Sequence, residues 1–125
     1  MSLRLAFEDK IKLAREKLNE LKIKKEQGEK IDEEVTSNLL IEVLGEEPPD
    51  PIIYLAVSKM GLTSEEKEED VVTFIKKEFS DDLFFILKEV IRLAILTNQI
   101  INEESLKKEL ENQLKWIGIL DNLNK

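Results

Sequence analysis

The sequence predicts an all-α fold: a single-domain bundle of five or six helices packed around one nearly all-apolar central helix. Three observations carry this. Between Leu83 and Leu96, eleven of fourteen residues are apolar. At helical pitch the three charged residues there (Lys88, Glu89 and Arg92) share one narrow strip, so the helix needs cover on most of its sides. Glycine and proline are scarce, and each of the four glycines falls near a proposed helix end. No alternating run with a hairpin turn occurs anywhere in the chain. Burial of eleven such side chains is worth roughly 15–30 kcal/mol before ordering entropy is subtracted. The helix over about 81–97, within Asp81–Gln99, is therefore the expected centre of the molecule.

The first helix is expected from Leu3 to about Gln27, with Gly28 as its stop. Phe7, Ile11, Ala14, Leu18 and Leu21 are spaced 4, 3, 4, 3, a heptad seam over two repeats. Its length of about 37 Å at 1.5 Å per residue exceeds that expected for the other helices, so one end is expected to overhang the body. The second helix starts at Asp32 with an acidic first turn suited to the helix dipole. Its expected buried stripe is Val35, Leu39 and Val43, flanked by Leu40 and Leu44, and Gly45 ends it.

The stretch 46–51, EEPPDP, blocks helix, and Asp50-Pro51 fits an N-cap and first helical position. A short third helix, Pro51 to Met60, closes at Gly61. Thr63 and Glu66 fit a capping box for a fourth helix, whose core face is Val71, Val72, Phe74, Ile75 and Phe79. Ser80 is placed to cap the central helix. A final helix is expected from Asn102, with an Ile101–Leu106 staple and a face of Leu106, Leu110, Leu114 and Ile117. Gly118 is a candidate early stop. Core packing explains both Tyr54 and Trp116; Trp116, off the main stripe, is also a candidate interface anchor.

At 125 residues the whole chain, 1–125, suits one domain. Its charge is uneven. Residues 1–25 hold eight basic and four acidic side chains, a net of +4, so the remaining hundred carry −12 of the total of −8. The picture is a basic amphipathic helix (1–27) on an acidic body (28–125). No cysteine and no histidine occur. This excludes disulfides, thiolate metal sites and every Ser-His or Cys-His arrangement. The N-terminal stretch lacks the apolar region of a signal peptide, and the run at 83–96 is too short and too charged to span a bilayer. The expected localisation is cytoplasmic, with no membrane role. Abundant Lys and Glu suit a thermophile, which seven asparagines oppose.

Two charged clusters carry candidate chemistry. Glu65–Glu69 and Glu66–Asp70 are i,i+4 carboxylate pairs able to face one hard cation, with Glu78-x-x-Asp81 further on. The gap is shorter than in the ExxE…ExxD pattern of all-helical magnesium-binding nucleotide pyrophosphohydrolases, and the first cluster opens an exposed helix. A solvated, dipole-complementing turn is the favoured reading. The cations of the first helix include Lys17, Lys22, Lys24 and Lys25 as candidate phosphate contacts. No aromatic residue alternates with them for base stacking, and the body is acidic.

The leading expectation is a non-enzymatic interaction or accessory subunit of a larger protein assembly, with no cofactor and no metal. Its expected interface is Phe7, Ile11, Ala14, Leu18, Leu21 and Trp116, through which it meets a protein partner or a second copy as a homodimer. The same seam packed on the chain's own central helix is the plainer reading. Two alternatives stay open: a nucleic-acid accessory factor touching phosphates through the first helix, or an acidic inhibitor mimicking nucleic acid. A magnesium-dependent nucleotide hydrolase ranks last.

Overall fold

The computed structural model describes residues 3–45, 51–62 and 67–123. Among them are six α-helices and no strand. They are α1 (Leu3–Glu26), α2 (Glu33–Leu44), α3 (Pro51–Leu62), α4 (Glu68–Glu78), α5 (Asp81–Ile101) and α6 (Lys107–Leu123), with a 3-10 turn at Glu104–Leu106 before α6. The all-α expectation is met. Thr63, Glu65 and Glu66 of the expected capping box and acidic cluster, and Asp50 of the Asp-Pro start, lie outside the described residues.

The ends follow local chemistry. Asp32 caps α2, accepting a hydrogen bond from the Val35 amide at 3.0 Å. Gly45 closes it at φ +94°, a conformation that L side chains rarely adopt. Ser80 caps α5 through the Leu83 amide. At its other end Asn102 takes the left-handed conformation (φ 47°) and returns its amide to the Asn98 carbonyl. The Lys25 ammonium also reaches that end, donating to the carbonyls of Ile100 and Ile101. A cation there meets both the open carbonyls and the negative end of the helix dipole.

α5 is the spine, and α1 lies along it. From Arg4 stacked over the Phe85 ring, through Arg15 paired with Glu89, to Lys25 at Ile100, the contacts ascend together, so the two helices run parallel. α1 has 24 residues against 21 in α5. That leaves little to overhang, and both ends of α1 are tied to α5, which corrects the expectation of a projecting helix. α6 returns antiparallel: Asp121 pairs with Lys88 (2.9 Å) and Arg92 (3.3 Å) at the middle of α5, and Gln113 accepts from Asn98 (2.7 Å) near its end. α2 folds back on α1, with Lys17 facing Glu42 at 3.6 Å. α3 spans α4, α5 and α6.

One hydrophobic cluster runs through all of this, from Phe7 and Leu18 through Ile53, Val71, Ile75, Ile86 and Leu87 to Trp116 and Leu120. Several details depart from the sequence reading. In α2 the buried residue is Thr36, not Val35, which is exposed; the Thr36 hydroxyl donates to the Glu33 carbonyl at 2.9 Å, so its burial leaves nothing unsatisfied. α3 continues through Gly61 and α6 through Gly118. Asn102 ends α5 instead of opening the last helix, and Ile101 is the buried last residue of α5, so no staple forms. α4 begins at Glu68 without a side-chain cap.

Candidate interaction surface

The residues expected to form an interface lie inside the molecule. Phe7, Ile11, Ala14, Leu18 and Leu21 are all buried in the chain's own core, as is Trp116. The heptad seam of α1 is satisfied by α5, so this fold leaves it no surface for another chain. Of the candidate phosphate contacts, Lys17 pairs with Glu42 and Lys25 caps α5, while Lys22 and Lys24 are exposed. Glu69, Asp70, Glu78 and Asp81 are exposed as well. Among the described residues no three His, Cys, Asp or Glu side chains converge as a metal ion would require. No helix among them is long and apolar enough to cross a membrane.

A charged cluster that sequence reasoning missed does stand at the centre. Glu89, only 7% exposed, is held between Arg15 of α1 and Arg92 of its own helix, the latter at 2.5 Å. Arg92 passes the chain of charge on to Asp121, which also takes Lys88. The signal available was the Glu89–Arg92 i,i+3 spacing. Every charge in this network meets an opposite charge, and the network ties α1, α5 and α6 together. It is a structural device.

The surface with no structural explanation is on α3. Its twelve residues, PIIYLAVSKMGL, hold one charged side chain, Lys59. Ile53, Ala56 and Met60, spaced 3 and 4, turn inward and are buried. Lys59 is half-buried, its ammonium 4.4 Å from the centre of the Phe74 ring. The exposed residues of its outer face are Pro51, Tyr54 and Leu55, with half-buried Ser58 and Lys59 one turn further on. Tyr54 is 63% exposed and Leu55 45%. A helix with so little charge is normally covered on most sides; here α4, α5 and α6 pack on it and leave Tyr54 and Leu55 exposed. Of the two aromatics expected in the core, Trp116 is buried there and Tyr54 is exposed.

Beside Tyr54 opens a cleft of about 280 Å³ between α3 and α6, floored by Val90, Ile91 and Ala94 of α5 and by Trp116. Its α6 wall carries Asn112, whose amide donates to the Met60 carbonyl at 2.6 Å, and Gln113, held by Asn98. Among the described residues of the lining, Glu109 is the charged one. These satisfied amides explain why the last helix buries Trp116 and Leu120 while Leu114, expected in its core face, is 45% exposed. Leu106, Leu110 and Leu114 instead line an open depression of about 400 Å³ at the α5–α6 corner, among Glu103, Glu104 and Lys107.

In comparisons with protein-family models, with curated proteins and with solved structures, the chain matches none.

Proposed function

We propose that the protein is a non-enzymatic interaction subunit that binds another protein chain through the outer face of α3 and the adjoining α3–α6 cleft. One observation carries this reading: α3 is apolar on its outer side as well as its inner one, in a chain whose composition is 37% charged. Depletion of charge with an exposed aromatic at its centre is the compositional mark of an interface core. Scattered exposed apolar residues need no explanation; Leu5, Leu13 and Ile23 on α1 are of that kind, set among charged neighbours. Tyr54 and Leu55 are adjacent, and Tyr54 borders a cleft. The cleft falls just below the ~300–1,000 Å³ usual for small-molecule sites, and its size suits a single inserted side chain.

The test is a photo-reactive amino acid placed at position 54 in the full chain, expressed in the cells that normally make it, with positions 22 and 34 on other faces as controls. The reading expects a protein adduct at 54 that is absent at both controls. Equal adducts at all three positions, or none at 54, would overturn it.

A further inference from the structure

We infer that α2 is a strap that lifts from α1 as a unit while the rest of the bundle stays folded, uncovering an apolar strip of its own. The inference is independent of the α3 surface.

Three observations single out α2. The first is burial. Every other helix encloses apolar side chains, down to Val71 and Ile75 in α4 and Trp116 and Leu120 in α6. α2, described throughout its length, encloses none: its one buried residue is Thr36, whose hydroxyl donates within α2 to the Glu33 carbonyl. Leu39, Leu40, Val43 and Leu44 are half-buried against the core, and Val35 and Ile41 are exposed. Local opening is easiest where little apolar surface is enclosed.

The second observation is attachment. α1 is tied to α5 through Arg15 and Lys25, and α6 to its neighbours through Asn112, Gln113 and Asp121. Among the described residues, the polar contact that joins α2 to another helix is Lys17–Glu42, at 3.6 Å and with the glutamate side chain 73% exposed. An exposed pair of this kind adds little.

The third observation is the helix itself. Twelve residues are marginal as a helix without packing. Val35, Thr36, Ile41 and Val43 are β-branched, which lowers helix propensity. The last turn carries Glu42 and no cation, the unfavourable sign for that end of the helix dipole. Its two ends also differ. Ile31, just before the Asp32 cap, is buried and pins the near end. At the far end Gly45 sits at φ +94° with nothing within 4 Å of a Cβ built on it, so the backbone there is free to turn. α2 is thus anchored at Ile31 and opens from the Gly45 end. Lifting brings Leu39, Leu40, Val43 and Leu44 into the open beside Val35 and Ile41, an apolar strip that the closed state conceals.

Hydrogen exchange of the full chain in native buffer, with and without low urea, tests this. The α2 amides beyond Thr36 are expected to exchange through one shared opening, at least about tenfold faster than the middle of α5 and α6 and with a shallower urea dependence. A thiol gives a second readout, since the chain has no cysteine. Thr36→Cys and Ala14→Cys each place one at a fully enclosed position, on α2 and on α1. With circular dichroism confirming both folds, Thr36→Cys is expected to be alkylated at least about tenfold faster than Ala14→Cys. Should either variant fail to fold, exchange of the wild type decides alone. α2 amides that exchange only together with those of α5, along the same urea dependence, overturn the inference. So does exchange graded inward from Gly45 without a shared opening, which is fraying, and so do equal alkylation rates in the two folded variants.

Discussion

Arg15 on α1 holds the carboxylate of Glu89 on α5, 74 residues further along the chain. The pair is asymmetric: the arginine side chain is half in solvent and the glutamate is nearly enclosed. Removing the glutamate lets both arginines turn outward to water. Removing an arginine leaves a mostly buried carboxylate with one partner fewer. Charge-assisted hydrogen bonds of this kind contribute about 1.5–3 kcal/mol. Glu89→Ala and Arg15→Ala are therefore each expected to lower unfolding free energy by about 1–3 kcal/mol. The double variant should cost less than the sum, because contacting residues couple. Urea unfolding of the four proteins measures the cycle, and strict additivity would show that the contact carries no stability.

The seam of α1 gives a sharper contrast. Leu18 is fully buried against the body, and Leu13, five residues earlier on the same helix, is exposed. Leu18→Ala is expected to cost about 2–5 kcal/mol, the range for truncating an enclosed leucine. Leu13→Ala should stay within about 0.5 kcal/mol of wild type. Leu18→Asp, which buries a charge with no partner, should not fold. If α1 served mainly to meet another chain, Leu18→Asp would remain folded by circular dichroism.

At the end of α5, Asn102 sits at φ 47°. Asparagine tolerates this region better than other side chains, and glycine better still. Asn102→Gly is therefore expected to be neutral or slightly stabilising, and Asn102→Ala to cost about 1 kcal/mol, the lower end of the left-handed penalty for an L side chain. Thermal unfolding of both variants decides whether the conformation, and not the side-chain amide, is what position 102 needs.

What the sequence revealed depended on how each helix meets its neighbours. The seam of α1 and the apolar run of α5 were legible because hydrophobicity alone sets their inward faces. α6 was not. Its inward side includes Asn112 and Gln113, and a hydrophobic pattern counts an amide as outward unless its hydrogen-bond partner is known; here the partners are the Met60 carbonyl and Asn98. Glu89 was hidden in the same way, since the arginine that permits its burial is 74 positions distant. α3 posed the opposite difficulty. A segment with so few polar residues has no periodicity that distinguishes inside from outside, so by pattern alone Tyr54 reads as core. Only the packing of Ile53, Ala56 and Met60 shows which side the chain leaves open.

Gly118 offers the last test. It was a reasonable helix stop by residue type, yet α6 runs through it to Leu123. The backbone there is ordinary helix, the position is exposed, and a Cβ built on it meets nothing within 4 Å. Nothing in the fold requires glycine at this point, while glycine in a helix interior costs about 1 kcal/mol relative to alanine. The difference lies largely in the unfolded chain, where alanine has fewer conformations to lose. Gly118→Ala is therefore expected to raise unfolding free energy by about 0.5–1 kcal/mol, with the chevron's unfolding arm or the denaturant midpoint reporting it. A loss of stability instead would mean that α6 bends or ends at Gly118 in solution, and that Leu120 and Asp121 reach their places in the core and the ion network by another path.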